Sequence, residues 1–179
     1  MNSVRSTPST EQSTLRSVVG LIARDLRTLR REVEAYPTDE SLWLVAAGAP
    51  NSGGALVRHL CGNLQHFIGA VLGESGYRRN REAEFHAPAV ARTALLAEID
   101  RTGEAVQAAV AHLTAAKLTT PYPQTLASSH FETGDFLLHL ATHLAYHVGQ
   151  VDYHRRLLAG SAATVNAMAI PELATATPA

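Results

Sequence analysis

The stretch "TGDFLLHLATHLAYHVGQVDYHRRLL", residues 133–158, decides how the rest of the chain is read. Phe136, Leu140, Leu144, Val151 and Leu158 recur at intervals of four and seven, the spacing of one face of a long α-helix. Thr133 stands at its head as the expected N-cap, and Gly160 lies just past its end. The same helix carries His139, His143 and His147 at successive intervals of four, followed by His154. On a helical wheel His147 and His154 fall within the apolar arc, His143 at its edge and His139 further out, while Thr142, Asp152 and Arg156 take the opposite side.

Working outward, three more segments show helical periodicity and none shows convincing strand alternation. The first spans about Thr10 to Ala35, with Leu15, Val18, Val19, Ile22, Leu26, Leu29 and Val33 on one side, a Ser9/Gln12 capping pair before it and Pro37 after it. A connector with a short turn around Leu42–Ala46 follows. The second helix spans about Gly54 to Leu72, with Leu56, Leu60, Leu64, Phe67 and Val71 as its stripe and Gly73 as its C-cap. Residues 73–88 are polar, charged and broken by Gly76 and Pro88, a crossover long enough to pass the end of a bundle. The third helix runs from about Ala89 to Ala116 on Leu96, Ile99, Gly103, Val106, Val110 and Leu113. Four amphipathic rods bury their stripes against one another, so the expected fold is all-α, one four-helix bundle over residues 10–160. Residues 1–9 are expected to be flexible and residues 161–179 to form a loosely held tail.

Bulk composition narrows the function. The chain has 179 residues, 46% of them hydrophobic, and a formal net charge of −1, which suggests neither a nucleic-acid partner nor a charged membrane surface. No signal-like or membrane-spanning apolar run is present, and Cys61 is the only cysteine, which rules out a disulfide framework and a multi-cysteine zinc knuckle. A reduced, cytoplasmic protein is the expectation.

Nine histidines beside a single lysine, Lys117, make the imidazoles the distinctive chemistry. A buried neutral imidazole has one donor and one acceptor to satisfy, and two stacked on one face are most simply explained by a shared ligand. Rings four residues apart lie roughly 6 Å apart along the axis and can converge on one cation; rings two turns apart cannot do so easily. One neighbouring pair therefore coordinates, either His139/His143 or His143/His147, with His154 read as a core or helix-end residue. A third ligand comes from helix two, where His59 and His66 flank the stripe on one side and Asn63 lies between them. His86, His112 and His130 are read as solvent-facing, Cys61 as a buried small residue and the arginines Arg78, Arg79 and Arg81 as a solvated charge run. Tyr146 and Gln150 join Asn63 as pocket candidates by wheel angle. Leu144 stands where a helical zinc protease carries glutamate, which argues against a peptidase.

The second-helix "VRHLCGN" (57–63) and last-helix "HLAYHVGQ" (143–150) resemble the DinB/YfiT-like metalloenzyme superfamily over roughly residues 10–158. The resemblance implies an up-down-down-up bundle with a long crossover between helices two and three. It also implies a three-histidine divalent-metal site of His59, His143 and His147, leaving His66 and His139 as neighbours. Some relatives are metal-dependent thiol S-transferases, so it further implies a small electrophilic substrate, a low-molecular-weight thiol and a homodimer, with the catalytic residues unassigned. Zinc or nickel is the expected metal, and three imidazoles also suit iron or copper. The alternatives are a non-catalytic metal- or ligand-binding module for stress response and a purely structural dimerising bundle. The stretch "YRRNREAEF" (77–85) is similar to a segment of one branch of the superfamily and carries no role over.

Overall fold

A computed structural model describes residues 10–178, and among these the regular structure is helical apart from two isolated β-bridges, Pro121 with Glu132 and Leu126 with Ser129. The helices are α1 (Thr10–Glu34), α2 (Gly53–Leu64), α3 (Arg81–His86), α4 (Arg92–Ala111) and α5 (Thr133–Ala159), with short 3₁₀ turns at Glu40–Leu42, Ala115–Thr119 and Ile170–Glu172. α1 packs on α4 and α5, and α2 packs on the same two, so α1 and α2 occupy opposite corners of the bundle. No helix among the described residues is long and apolar enough to cross a membrane.

α1 follows its periodicity. Val18, Ile22, Leu26, Leu29 and Val33 are buried, while Leu15 packs more loosely against the core. The expected Ser9 cap lies outside the described residues. In α5 the buried arc is wider than the wheel suggests and takes in Leu137, Ala141, Val148 and Arg155, because α1 covers one flank and α2 the other. His143 and His147 sit half-buried at the rim of that arc. Thr133 is the first helical residue rather than the cap: Glu132 holds the cap position, and the Thr133 hydroxyl donates to the Thr120 carbonyl at 3.0 Å. Gly160 ends α5 in the left-handed conformation, φ 59°, as its sequence position indicates.

Three elements depart from the sequence reading. α4 buries Leu95, Ile99, Thr102, Val106 and Ala109, one residue round from the expected Leu96–Gly103–Val110 stripe. Burial of the polar Thr102 is tolerated because its hydroxyl donates to the Glu98 carbonyl at 2.7 Å and receives Gln65 Nε2 at 3.2 Å. The second rod does not stay α-helical to Leu72: after Leu64 it widens into a π-helical stretch, Gln65–Ala70. Gly73 is not the left-handed residue at its end; Glu74 is, at φ 53°. The polar crossover, finally, contains α3, capped by Asn80, whose side chain accepts from Ala83 N–H at 3.0 Å.

The C-terminal residues, expected to be loosely held, lie along α1. Arg31 donates to the carbonyls of Val165 and Asn166, and Arg27 and Arg31 both pair with Glu172. A buried ion pair, Arg155 with Glu32 at 2.5 Å, joins α5 to α1, and Arg155 also donates to the Ala163 carbonyl.

Candidate metal centre

α2 and α5 bring His59, His143 and His147 together, so that one ring nitrogen from each lies within 4.8 Å of the others. Nε2 of His59 and Nε2 of His143 are 3.3 Å apart. Two nitrogens bound at 2.0–2.1 Å to one tetrahedral ion stand about 3.3 Å from each other, so this spacing fits a shared cation. The donor set fits as well: imidazoles are the ligands that zinc, nickel, iron and copper all accept.

Hydrogen bonds behind two of the rings fix which nitrogen faces the cluster. His59 Nδ1 lies 2.9 Å from Glu84 Oε2. A carboxylate only accepts, so Nδ1 carries the proton and Nε2 is left with its lone pair turned towards the other rings. Burial pushes the Glu84 carboxyl up, but hydrogen bonds from Arg79 and His59 outweigh it and hold the group below the usual carboxylate range. Arg79 grips it with two nitrogens, at 2.6 and 2.9 Å. Gly62 makes the approach possible, since a Cβ there would strike the Glu84 carboxylate. In the same way His147 Nδ1 lies 2.6 Å from Gln150 Oε1, which leaves its Nε2 free. Burial lowers the His147 pKa; burial, followed by the neighbouring histidines, pushes that of His143 down to about 4. Both rings are therefore neutral ligands at neutral pH. His143 Nδ1 is buried without a partner.

A cavity of about 520 Å³ opens beside the three rings. Asn63, Phe67, Phe85 and Phe136 line it, along with Arg79 and Arg81. Phe67 is set there by the π-helical stretch, and its carbonyl accepts from the Tyr122 hydroxyl at 2.8 Å.

Of the other sequence candidates, His139 is exposed and stacks on Phe136 and His143 without joining the three. His66 lies two turns beyond His59 on the same rod, roughly 10 Å along the axis, and packs on Phe67 outside the cluster, its Nδ1 buried and unpartnered. Tyr146 meets His147 edge-on and, with Gln150 and Tyr153, lines an adjoining cavity of about 470 Å³ whose wall also includes His147. His154 receives the Tyr36 hydroxyl at 2.8 Å and donates to the Leu44 carbonyl at 2.9 Å, a satisfied core histidine. His86, His112 and His130 are exposed. Cys61 is buried, and burial pushes its thiol up to about 12, so it is inert. Arg79 is corrected: it is bound to Glu84 behind the site and is not part of a solvated run. Glu84 was missed by the sequence reading; the signal was Asn80 as a helix cap with Glu82 and Glu84 in the first turn after it.

A family model described as Protein of unknown function (DUF1572) matches residues 11–172. The chain belongs to that family. No curated protein and no solved structure matches it. The DUF1572 match takes in all three histidines, Glu84 and most of the C-terminal stretch that lies on α1.

Proposed function

We propose that this DUF1572 protein is a divalent-metal-dependent enzyme whose ion is held by His59, His143 and His147. The observation that carries the reading is the convergence of three ring nitrogens from two helices within 4.8 Å. Three neutral imidazoles leave coordination positions open, the pattern of catalytic rather than closed structural sites, and the adjoining cavity supports that choice over a non-catalytic module. A divalent ion there supplies Lewis acidity, lowering the pKa of a water or thiol that reaches it. The chain's own part is to hold the rings in one tautomer through Glu84 and Gln150 and to shape the cavity with Phe67, Phe85 and Phe136. No carboxylate follows His143 in sequence, so the structure offers no protease-type general base at Leu144.

The finer reading follows the DinB/YfiT-like resemblance: transfer of a low-molecular-weight thiol to a small electrophile, the sulfur bonding to carbon as the carbon's bond to its leaving group breaks, with the leaving group taking that electron pair and both it and the thiol proton passing to solvent. The same resemblance carries the up-down-down-up course of α1, α2, α4 and α5. Contacts support it: Arg155 of α5 meets Glu32 of α1 near their C-terminal ends, while Phe67, in the π-helical stretch that continues α2, meets Phe136 early in α5. Arg92 at the start of α4 bonds the Glu34 carbonyl at the end of α1, and the second rod advances along α4 in the same direction, Gln65 bonding Thr102, Gly69 lying against Ala105 and Gly73 against Ala109. A homodimer belongs to the same proposal, and exposed Tyr146, Tyr153 and Leu157 on α5 offer it an apolar face.

Elemental analysis of tag-free protein tests the metal reading. Near-stoichiometric divalent metal is expected in the wild type and its loss in His59→Ala, His143→Ala and His147→Ala; equal occupancy in all four proteins contradicts it. Thiol-dependent turnover of model electrophiles by the metal-loaded protein tests the transferase reading, and its absence across cellular thiols contradicts that part alone.

A further inference from the structure

Each of the three clustered rings has a nitrogen turned away from the others, and only two of those back nitrogens are held. His59 Nδ1 donates to Glu84, and His147 Nδ1 donates to Gln150. The third, His143 Nδ1, is buried and unpartnered. A second orphan lies on the same cavity wall: Asn63 is 7% exposed, and its Oδ1 is buried with no partner among the described residues. Packing of the two rods puts these residues at one level. His59 meets His143 on α5, and Phe67, two turns further along the second rod, meets Phe136. Asn63 stands midway, one turn past His59, so it faces the turn of α5 from Leu140 to His143, and both of those residues share its cavity wall.

The surrounding hydrogen bonds explain why the two orphans do not bond each other. His59 Nε2 and His143 Nε2 are 3.3 Å apart, and a bond between two ring nitrogens needs one proton between them. The His59 proton is on Nδ1, opposite Glu84, so the proton in this contact belongs to His143 Nε2. His143 Nδ1 is then a lone pair, and against Asn63 Oδ1 it sets acceptor against acceptor. We infer that Asn63 is the positioning residue for His143 and that metal uptake switches their bond on. The inference rests on the metal reading above and deepens it. When His143 Nε2 ligates, its proton leaves to solvent and Nδ1 takes one up, so the ring stays neutral and the proton count is unchanged. Nδ1 is now a donor, and Asn63 Oδ1 accepts from it. All three ligands then have their back nitrogen on an oxygen, from Glu84, Gln150 and Asn63, the arrangement that fixes the orientation of a ligating imidazole and raises its basicity. α2 thus supplies one ligand, His59, and one turn later the support for another on α5.

The test is zinc titration of the full-length protein with isotope-labelled histidines, the ring tautomers read from long-range proton–nitrogen NMR spectra and the affinity from chelator competition. In the wild type His143 is expected to change from the Nε2–H tautomer without zinc to the Nδ1–H tautomer with it, the new ring proton being slow to exchange. Asn63→Leu should speed that exchange and weaken zinc binding by about 10–100-fold, in the range for groups that support a ligand from behind. It should not lower the urea midpoint of the zinc-free protein, since Oδ1 has no partner there to lose. Asn63→Asp keeps an oxygen at the same place and should keep the slow proton, with affinity within several-fold of wild type. His66→Ala, which removes the other orphaned nitrogen of the second rod, should change neither reading. A wild-type His143 already in the Nδ1–H form without zinc overturns the inference without recourse to any variant. So does a ring proton exchanging alike in zinc-loaded wild type and Asn63→Leu, equal loss of affinity in Asn63→Leu and Asn63→Asp, or a zinc-free Asn63→Leu that is itself destabilised. Each of these leaves the metal reading standing. Failure of the wild type to bind zinc overturns the metal reading, and this inference with it.

Discussion

His147 and His154 sit seven residues apart on α5, and the protein treats them in opposite ways. Both nitrogens of His154 are spent on the protein itself, one receiving the Tyr36 hydroxyl and the other donating to the Leu44 carbonyl. His147 has only Nδ1 engaged, by Gln150, and its Nε2 turns towards His59 and His143. Residue type and helical spacing are the same in both places. What separates a core histidine from a candidate ligand is how many of its two ring nitrogens the fold leaves without a protein partner. Gly53 belongs to the same contrast, since a Cβ there would collide with the Tyr36 hydroxyl that serves His154, as one at Gly62 would collide with the carboxylate that serves His59.

The contrast breaks most sharply under alanine substitution. His147→Ala is expected to abolish metal binding with little loss of fold stability, whereas His154→Ala should keep full metal content and lose stability. Leaving the Leu44 carbonyl unpaired, and the Tyr36 hydroxyl with only its longer bond to the Val151 carbonyl, costs roughly 1–3 kcal/mol. Metal analysis paired with urea unfolding reads both, and metal loss in His154→Ala would erase the distinction.

Next in size is Glu84→Ala. Groups that hold a ligating imidazole from behind typically change metal affinity by about 10–100-fold when removed. A zinc competition titration should show a loss in that range, with Glu84→Gln losing less because its amide oxygen still accepts from His59 Nδ1. An unchanged affinity in Glu84→Ala would reduce the Glu84–His59 contact to packing.

Acid should weaken the metal-free protein at the cluster. His143 has its pKa pushed down to about 4 in the fold, against an ordinary value of 6.5. Between those values the unfolded chain binds a proton that the folded chain refuses, so stability falls as pH drops from about 6.5 to about 4. His147 shifts in the same direction, and Glu84, held below the usual carboxylate range, extends the loss to lower pH. Urea midpoints measured across this range should decline in wild type and decline less in His143→Asn; parallel slopes would contradict the assignment. The smallest effect is expected at His66→Ala and His139→Ala, both retaining wild-type metal content.

Much of this was legible beforehand, for identifiable reasons. The limits of α1 and α5 are written in long apolar periods with Pro37 and Gly160 as stops, and a four-residue histidine interval has one geometric meaning on a helix. Choosing His59 over His66 came from resemblance, because seven residues of helix place them on the same side, and only the packing of α2 on α5 decides which of the two turns meets His143 and His147. On α4, two interleaved stripes compete, and Thr102 wins a core position only through hydrogen bonds that the sequence does not display. Glu84 lay hidden in a charged segment because its partner, His59, is 25 residues away and on another helix.

X-ray absorption spectroscopy of the zinc-loaded, tag-free protein tests the central claim most directly. Three imidazole nitrogens at about 2.0–2.1 Å, completed by a light oxygen scatterer, are expected. A sulfur shell, or imidazole scattering from fewer than two rings, would contradict a site built from His59, His143 and His147.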